Sequence, residues 1–272
     1  MLARQPHAHE SGILKIGRIG NQRIGTIQRR HSMTNQQRDI RGVFFDWELT
    51  LARTIGDVSN DERLTALFQS QSLPYSLIEM QQAIQASRDD FWAKYAQEMP
   101  RPQTQQDIIE HYTRILSHLG HSDISETLLN NLYNGYARLP TELYDDALAT
   151  LQALSEQGIT LSIVSNHAAD ARLVMEDLVG DYIPPERIVI SQEVGQHKPD
   201  KSIFETALSL VDIAPEHCLF VGDTLEADAI GAVQQGKFKL GLWLDRIGKG
   251  SRLALPAGVI RIRSLYEVLN YI

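Results

Sequence analysis

Cysteine is nearly absent from the 272-residue chain: Cys218 stands alone, so no internal disulfide can form. It begins an apolar run, 218–221, which favours a buried thiol in a reducing compartment. We therefore expect a cytoplasmic protein. Long hydrophobic stretches are also lacking, since no run approaches the roughly 18 apolar residues that a membrane-spanning helix requires. We expect no membrane span.

Acidic residues are scarce at the N-terminus and abundant elsewhere. Residues 1–38 carry seven Lys or Arg and one Glu, a net charge of +6, whereas the whole chain carries −8, which leaves −14 for the rest. An acidic body argues against nucleic acid as a partner. It leaves room for an anionic substrate, because a site can carry its own cations.

The basic tail, residues 1–38, has little hydrophobic periodicity and is rich in Gln, Arg, His and Gly, as disordered segments are. Three interpretations stay open. A targeting peptide for an organelle would be basic, but also richer in serine than Ser11 and Ser32 make this one. A functional basic arm is the second. We favour the third, in which Met33 is the true start.

The remaining chain shows two different sequence patterns. Residues 57–138 place apolar side chains at helical spacing between Pro and Gly interruptions, which predicts four amphipathic helices in a small bundle. Residues 39–56 and 139–272 instead contain short apolar strands that alternate with helices. This alternation predicts an α/β core, a doubly wound parallel sheet. The helical stretch is then an insertion after the first strand of the core.

Polar side chains follow the ends of four predicted strands. They are Asp46, Glu48 and Thr50; then Ser165 and Asn166; then Lys198; then Asp223 and Asp228. The carboxyl ends of parallel strands meet at one edge of a sheet, where α/β proteins bind ligands. Each residue alone has an ordinary explanation as a helix cap or a solvated loop charge. Four such groups at one edge favour a common site.

The chemistry of this set suits phosphoryl transfer. Carboxylates from separate strands can hold Mg²⁺, which prefers oxygen ligands. The cation, the Lys198 ammonium and the Ser165 hydroxyl would neutralise charge on the oxygens of the transferring group. Asp46 could then attack phosphorus in line and form an aspartyl-phosphate, which water hydrolyses.

These motifs resemble those of the haloacid dehalogenase superfamily: an apolar strand ending Asp-x-Asp-x-Thr, a strand ending in Ser or Thr, a Lys, and an acidic Gly-Asp pair. The match extends over residues 41–272, and the stretch 191–204 around Lys198 is similar to the Lys motif of the phosphatase branches. The resemblance implies a Rossmann-like core with an inserted helical cap, at 57–138, that closes over the site. It also implies a small phosphorylated metabolite as the substrate.

The resemblance further implies a role for each matched residue. The implied catalytic residues are Asp46 as nucleophile, Glu48, Ser165 and Lys198. The implied phosphate-binding residues are Thr50, Ser165, Asn166 and Lys198. The implied Mg²⁺ ligands are Asp46, the backbone carbonyl of Glu48, Asp223 and, directly or through water, Asp228.

Glu48 departs from the superfamily pattern, which has a second Asp there. In the superfamily's phosphatases that residue is the general acid and base. Glu keeps the carboxyl group but is longer by one methylene, about 1.5 Å, and a misplacement of about 1 Å can cost about a hundredfold in rate. Metal binding through the backbone carbonyl does not require Asp. We therefore expect Mg²⁺ binding, with turnover that depends on how the loop accommodates Glu48.

Several functions remain in view. We favour an Mg²⁺-dependent phosphatase acting through Asp46. A weakly active or non-catalytic relative that binds a phosphorylated ligand or a partner is the alternative, motivated by Glu48. The superfamily's dehalogenases dispense with metal, so the retained Asp223 and Asp228 argue against that activity. A phosphomutase would use the same site.

Four further side chains near these motifs have less specific patterns. Arg53 and Arg138, near the two ends of the helical stretch, are candidates for substrate contacts. His167 and His197 flank predicted site residues without metal-ligand spacing, so we assign them to local packing or solvent.

Overall fold

The computed structural model describes residues 39–56, 59–95, 104–248, 250 and 253–272. The basic tail and its three interpretations lie outside this part of the chain. None of the helices that it contains is long and apolar enough to cross a membrane. Cys218 is fully buried, as predicted, and burial raises the pKa of its thiol to about 12.

Strands and helices alternate through most of the described chain. The strands are β1 (Gly42–Phe45), β2 (Ala52–Thr54), β3 (Thr141–Leu143), β4 (Thr160–Ser165), β5 (Ile188–Ile190), β6 (Cys218–Gly222), β7 (Leu240–Leu244) and β8 (Val259–Ile262). The α-helices are α1 (Asn60–Ser70), α2 (Leu77–Tyr95), α3 (Gln105–His118), α4 (Glu126–Tyr136), α5 (Asp145–Glu156), α6 (Ala171–Val179), α7 (Ser191–Val194), α8 (Lys201–Ser209) and α9 (Gly231–Gln234).

A six-stranded parallel sheet forms the core, in the order β5-β4-β1-β6-β7-β8. The order runs outward from β1 in both directions, which confirms the doubly wound sheet. β1 lies between β4 and β6, with Phe45 level with Ile163 and Val221. The carboxyl ends of the three central strands therefore meet at one edge.

Both faces of the sheet are covered, which explains why its strands are continuous apolar runs. Successive side chains of β1 point to opposite faces. Val43 and Phe45 belong to one buried cluster, and Phe44 belongs to another with Phe204 and Phe220. This two-sided burial fixes the strand that leads directly into Asp46.

The helices α1 to α4 lie between β2 and β3 in the chain and have a buried cluster of their own, which includes Leu67, Met80 and Ile115. Capping boxes begin three of them: Ser59 with Glu62 at α1, Ser76 with Glu79 at α2, and Thr104 with Asp107 at α3. Four helices match the periodicity of the sequence. The boundaries 57–138 of a separate domain stay a prediction.

One pair of strands differs from expectation, and two helices depart from α-helical geometry. β2 and β3 form an antiparallel ribbon where the chain leaves and re-enters the core, and neither strand was predicted because each has three residues and no clear alternation. The C-terminal helix is a 3₁₀-helix, Leu265–Tyr271. The segment after Thr224 begins as a π-helix, Leu225–Ile230, before α9.

Candidate active site

Asp46 follows β1 directly and is held by the backbone. Its N–H donates to the carbonyl of Val221 at the end of β6, 2.9 Å away. The next turn is compact because the N–H groups of Thr50, Leu51 and Ala52 all donate to the Trp47 carbonyl, at 3.0 to 3.2 Å. The Asp46 side chain is consequently presented at the sheet edge with only 7% of its surface exposed.

Thr50 joins the first and last motifs of the predicted set. Its hydroxyl donates to Asp46 Oδ2 at 3.2 Å and accepts the N–H of Asp223 at 3.1 Å. The side chain is fully buried. Thr50 therefore fixes one oxygen of the Asp46 carboxylate and the position of the loop that carries Asp223.

Lys198 is 2% exposed and bridges two carboxylates, since its Nζ donates to Asp46 Oδ1 and to Asp228 Oδ1, both at 2.7 Å. Burial alone would lower the pKa of Lys198, but the charges of Asp228 and Asp46 outweigh it and hold that pKa above its usual value. The ammonium therefore stays charged in this setting.

Asn166 holds Lys198 by both of its backbone groups. Asn166 Oδ1 accepts the Lys198 N–H at 2.7 Å, and Nδ2 donates to the Lys198 carbonyl at 2.9 Å. Ser165, at the end of β4, is 1% exposed beside it. The Asn166 amide thus ties the loop of Lys198 to the end of β4, a positioning contact that its spacing in the sequence does not predict.

Three carboxylates cluster at this edge. Asp46, Asp223 and Asp228 each offer an oxygen, and these oxygens lie within 4.8 Å of one another. Burial raises the pKa of Asp228 to about 7, reinforced by the charges of Asp46 and Asp223 and opposed by Lys198. Asp228 also requires a glycine at 222, because a Cβ there would lie 2.3 Å from its carboxylate.

Oxygen donors from separate strand ends, with a net negative charge, fit a hard divalent cation such as Mg²⁺. Asp223 is fixed at the backbone as well, since Trp243 Nε1 donates to its carbonyl at 2.9 Å. The residues that would hold the cation are therefore already oriented by the fold.

Glu48 lies on the opposite side of the site, against the helices. Its carboxylate accepts a hydrogen bond from Nη1 of Arg63 in α1, and the hydroxyl of Tyr136 in α4 lies 3.4 Å from the same oxygen. Neither partner was predicted. Arg63 stands beside Asp61 and Glu62 in the sequence and resembles a solvated helix face, yet it is only 8% exposed.

Arg246 is a second arginine that the sequence analysis did not single out, and it holds the loop that contains Thr50. Its two Nη atoms each donate to Asp146 at 2.9 Å, and Nη2 also donates to the Thr50 carbonyl at 2.9 Å. The guanidinium lies 3.8 Å from the ring centre of Tyr144. The contact between Arg246 and Thr50 joins residues 196 positions apart, and no local sequence signal marks it.

The remaining candidates are two arginines and two histidines, of which His167 lies close enough to Asp46 to interact with its charge. Arg53 pairs with Glu142 in the β2–β3 ribbon, and Arg138 pairs with Asp170. His167 is buried, which lowers its pKa to about 4, and its Nδ1 accepts the N–H of Ala168. The imidazole is therefore neutral and locally satisfied. His197 pairs with Asp200.

A cavity of about 750 Å³ opens between the sheet edge and the helices. Glu48, Asn166 and Asp223 line it from the core side, and Arg63 and His111 are among the residues that line it from the helices. The volume is in the range of sites for small organic ligands, roughly 300–1,000 Å³.

A doubly wound sheet with a buried Asp–Lys pair and two further carboxylates at its carboxyl edge defines an α/β protein equipped for chemistry on anionic groups. The chain matches the model of the haloacid dehalogenase-like hydrolases over residues 40–236, and it belongs to that hydrolase family. The resemblance of the four motifs is thereby confirmed.

Characterised relatives match over part of their length. The chain is 36% identical to a ribulose-1,5-bisphosphate 5-phosphatase of Halopiger xanaduensis over 92 residues, 33% of this chain and 38% of the relative. It is 36% identical to a phosphoserine phosphatase of Thermus thermophilus over 106 residues, 38% of this chain and 41% of the relative. The chain thus spans about two fifths of the relatives that it matches.

Solved structures share the fold over most of the chain. YfnB of Bacillus subtilis, a HAD-hydrolase bound to magnesium, has a TM-score of 0.63 and 22% identity and covers 85% of this chain and 97% of its own. A 2-haloacid dehalogenase of Pseudomonas syringae has a TM-score of 0.55 and 19% identity with the same coverage. Since hydrolases of different chemistry share this architecture, the fold alone does not select the reaction.

Proposed function

We propose that this protein is an Mg²⁺-dependent phosphatase that hydrolyses a small phosphomonoester through an aspartyl-phosphate on Asp46. The observation that carries the proposal is the set of contacts on that carboxylate. Lys198 and Thr50 each bind one of its oxygens, and Asp223 and Asp228 offer further oxygens beside it. The phosphatases among the relatives support the same reaction class.

In this proposal Asp46 attacks phosphorus, so that an Asp46 Oδ–P bond forms as the bond to the leaving oxygen breaks. Lys198, held at 2.7 Å from Asp46, would move its hydrogen bonds toward the phosphoryl oxygens, with Ser165 nearby at the end of β4. Bound by Asp46, Asp223, Asp228 and the Glu48 carbonyl, Mg²⁺ would supply further neutralisation of the phosphoryl charge.

Glu48 would protonate the leaving oxygen and then accept a proton from the attacking water, which frees phosphate and restores Asp46. Its partners Arg63 and Tyr136 support a Glu at this position, because the longer side chain reaches both helices. We infer that the loop and the helices have adapted to Glu48.

A second candidate function rests on the same contact. An ion pair with Arg63 favours the ionised form of Glu48, which cannot donate a proton. A protein that binds a phosphorylated ligand with little or no turnover would tolerate this arrangement. A phosphomutase would need the same residues at the sheet edge, so the contacts there do not separate it from a phosphatase.

The helices α1 to α4 act as a cap in this proposal, with 57–138 as the cap and 39–56 with 139–272 as the core. Support comes from their separate buried cluster and from the cavity that they close against the sheet edge. The substrate would be a small phosphorylated metabolite in a cytoplasmic setting.

The test is hydrolysis of para-nitrophenyl phosphate and a panel of small phosphomonoesters, with Mg²⁺ and with a chelator, by the full chain and by Asp46→Asn. Phosphate release that needs Mg²⁺ and is lost in the variant is the expected result. Calorimetric binding of a panel compound without any release by the wild type would instead favour the binding function. Release that is indifferent to the chelator would overturn both.

A further inference from the structure

Arg63 is a buried cation whose hydrogen-bonding capacity is only partly used. Its side chain is 9% exposed, and among the described residues its guanidinium contacts only Glu48, through Nη1. Nε is buried and has no hydrogen-bond partner within the described chain. A guanidinium has five N–H donors, and within the described chain Arg63 uses one of them in a hydrogen bond, the one to Glu48.

The cavity wall around Arg63 is cationic, although the body of the protein is acidic. The lining residues that α1 to α4 contribute include Arg63 and Arg88 and, in the part of the chain that the structure describes, no carboxylate. His111 also lines this wall, and burial, with Arg114 and Arg88 nearby, lowers its pKa to about 4. It is therefore neutral at pH 7, and the two arginines set the charge of the wall.

The position of this wall is on the leaving-group side of the proposed reaction. Lys198 and Asp46 hold the phosphoryl end at the sheet edge, and Glu48 faces the leaving oxygen. Arg63 contacts Glu48 directly, so it lies one side chain beyond that oxygen. A group carried by the leaving portion of the substrate would therefore lie near Arg63.

We propose that Arg63 binds a second anionic group on the leaving portion of the substrate, so that the enzyme acts on phosphomonoesters that also carry a carboxylate or a second phosphate. The inference rests on the proposed phosphatase function. Arg63 uses Nη1 for Glu48 and keeps other donors for the oxygens of the ligand's carboxylate or phosphate, both of which a guanidinium can bind through two N–H groups. Arg63 is thereby a specificity residue.

Three three-carbon esters test this proposal: 3-phosphonooxypropanoate, propane-1,3-diol bisphosphate and propyl phosphate. They differ only in a terminal carboxylate, phosphate or methyl group. We expect kcat/KM of the wild-type full chain with Mg²⁺ to be about ten- to a hundredfold higher for an anionic ester than for propyl phosphate, the range for a hydrogen bond between charged groups. The first two esters show which anion is preferred.

The decisive variant is Arg63→Met, which keeps the length of the side chain and removes the charge. In this variant the ratio of kcat/KM for the anionic esters to kcat/KM for propyl phosphate is expected to fall to about one. Arg63→Lys should give an intermediate ratio, and it replaces the Met variant if that protein is unstable. Lys201→Met is the control, because Lys201 pairs with Glu205 on the surface, with 60% of its side chain exposed. It should keep the wild-type ratio.

An unchanged ratio of kcat/KM in Arg63→Met would overturn the inference. If the ratio is unchanged while all three esters lose activity equally, Arg63 is a positioning residue for Glu48 alone. Calorimetric binding to the Asp46→Asn protein separates this failure from failure of the phosphatase proposal. If the wild type hydrolyses none of the esters, tighter binding of the anionic pair that is lost with Arg63 still supports the anion site. Equal binding of all three would reject it.

Discussion

The two sides of the candidate site are built in different ways. At the sheet edge, Asp46, Lys198 and Asp228 come from segments that follow three different strands, are joined by 2.7 Å contacts and are almost fully buried. On the helix side, Glu48 is met by Arg63 and Tyr136 from two separate helices, beside an open cavity. The rigid sheet suits a reacting centre, and the helices suit selection of the rest of the ligand.

The largest effect is expected at the rigid side, from Asp46→Asn. The change keeps the shape of the side chain but removes the nucleophile, so Mg²⁺-dependent phosphate release should fall by at least about a thousandfold. Steady-state kinetics measure the loss, and circular dichroism checks the fold. Asp39→Asn is the control, since Asp39 pairs with His217 outside the site. Near-normal release by Asp46→Asn would exclude the aspartyl nucleophile.

Lys198→Met should cost both activity and stability, because it leaves the carboxylates of Asp46 and Asp228 buried without their cation. Removing one partner of a buried ion pair typically lowers the free energy of unfolding by about 3–5 kcal/mol. Urea unfolding in chelator measures the change, and added Mg²⁺ should recover part of it.

Lys201→Met is the matched comparison for that measurement. Lys201 pairs with Glu205 on the surface, with 60% of its side chain exposed, and should contribute at most about 1 kcal/mol. Similar losses in the two variants would contradict the buried role of Lys198.

Glu48→Asp tests the helix side. The shorter side chain retracts from Arg63 and Tyr136, so kcat should fall by about ten- to a hundredfold. In Glu48→Gln, kcat should fall further and lose the pH dependence that this carboxyl contributes. Both are read from kcat against pH. An increase in kcat for Glu48→Asp would show the opposite, that the longer side chain limits the wild type.

A smaller effect is expected from His111 in the cavity wall. Its folded pKa of about 4 lies below the usual 6.5, so the unfolded chain binds the proton first as the pH falls. The stability that neutral His111 contributes is full above pH 6.5 and is lost between pH 6.5 and 4. The free energies of unfolding of wild type and His111→Asn, measured by urea titration, should therefore converge by up to about 3 kcal/mol over this window. A constant difference would refute the shift.

Much of the sheet side could be predicted from the sequence. Strands that are buried on both faces are written as continuous apolar segments, so the short apolar runs indicated the strands of the core. The order of parallel strands then brings their carboxyl ends together. For this reason Asp46 and Asp228, 182 positions apart, could be expected in one site.

The helix side could be predicted only in outline. Periodicity indicated four helices, but not how the bundle is oriented over the sheet. Arg63 was therefore missed, although its partner Glu48 was recognised as the departure from the family pattern. The ribbon of β2 and β3 was missed too, since three-residue strands carry almost no periodic signal.

The sequence by itself determined the chemistry of the candidate site: which carboxylates, which lysine and which hydroxyls follow the central strands. Local apolar runs and the geometry of a parallel sheet suffice for this, because each group is placed by its own strand. Only the tertiary structure decided what surrounds Glu48 and the Thr50 loop. Those contacts, from Arg63, Tyr136 and Arg246, depend on how distant elements pack, and no short segment of the chain encodes that packing.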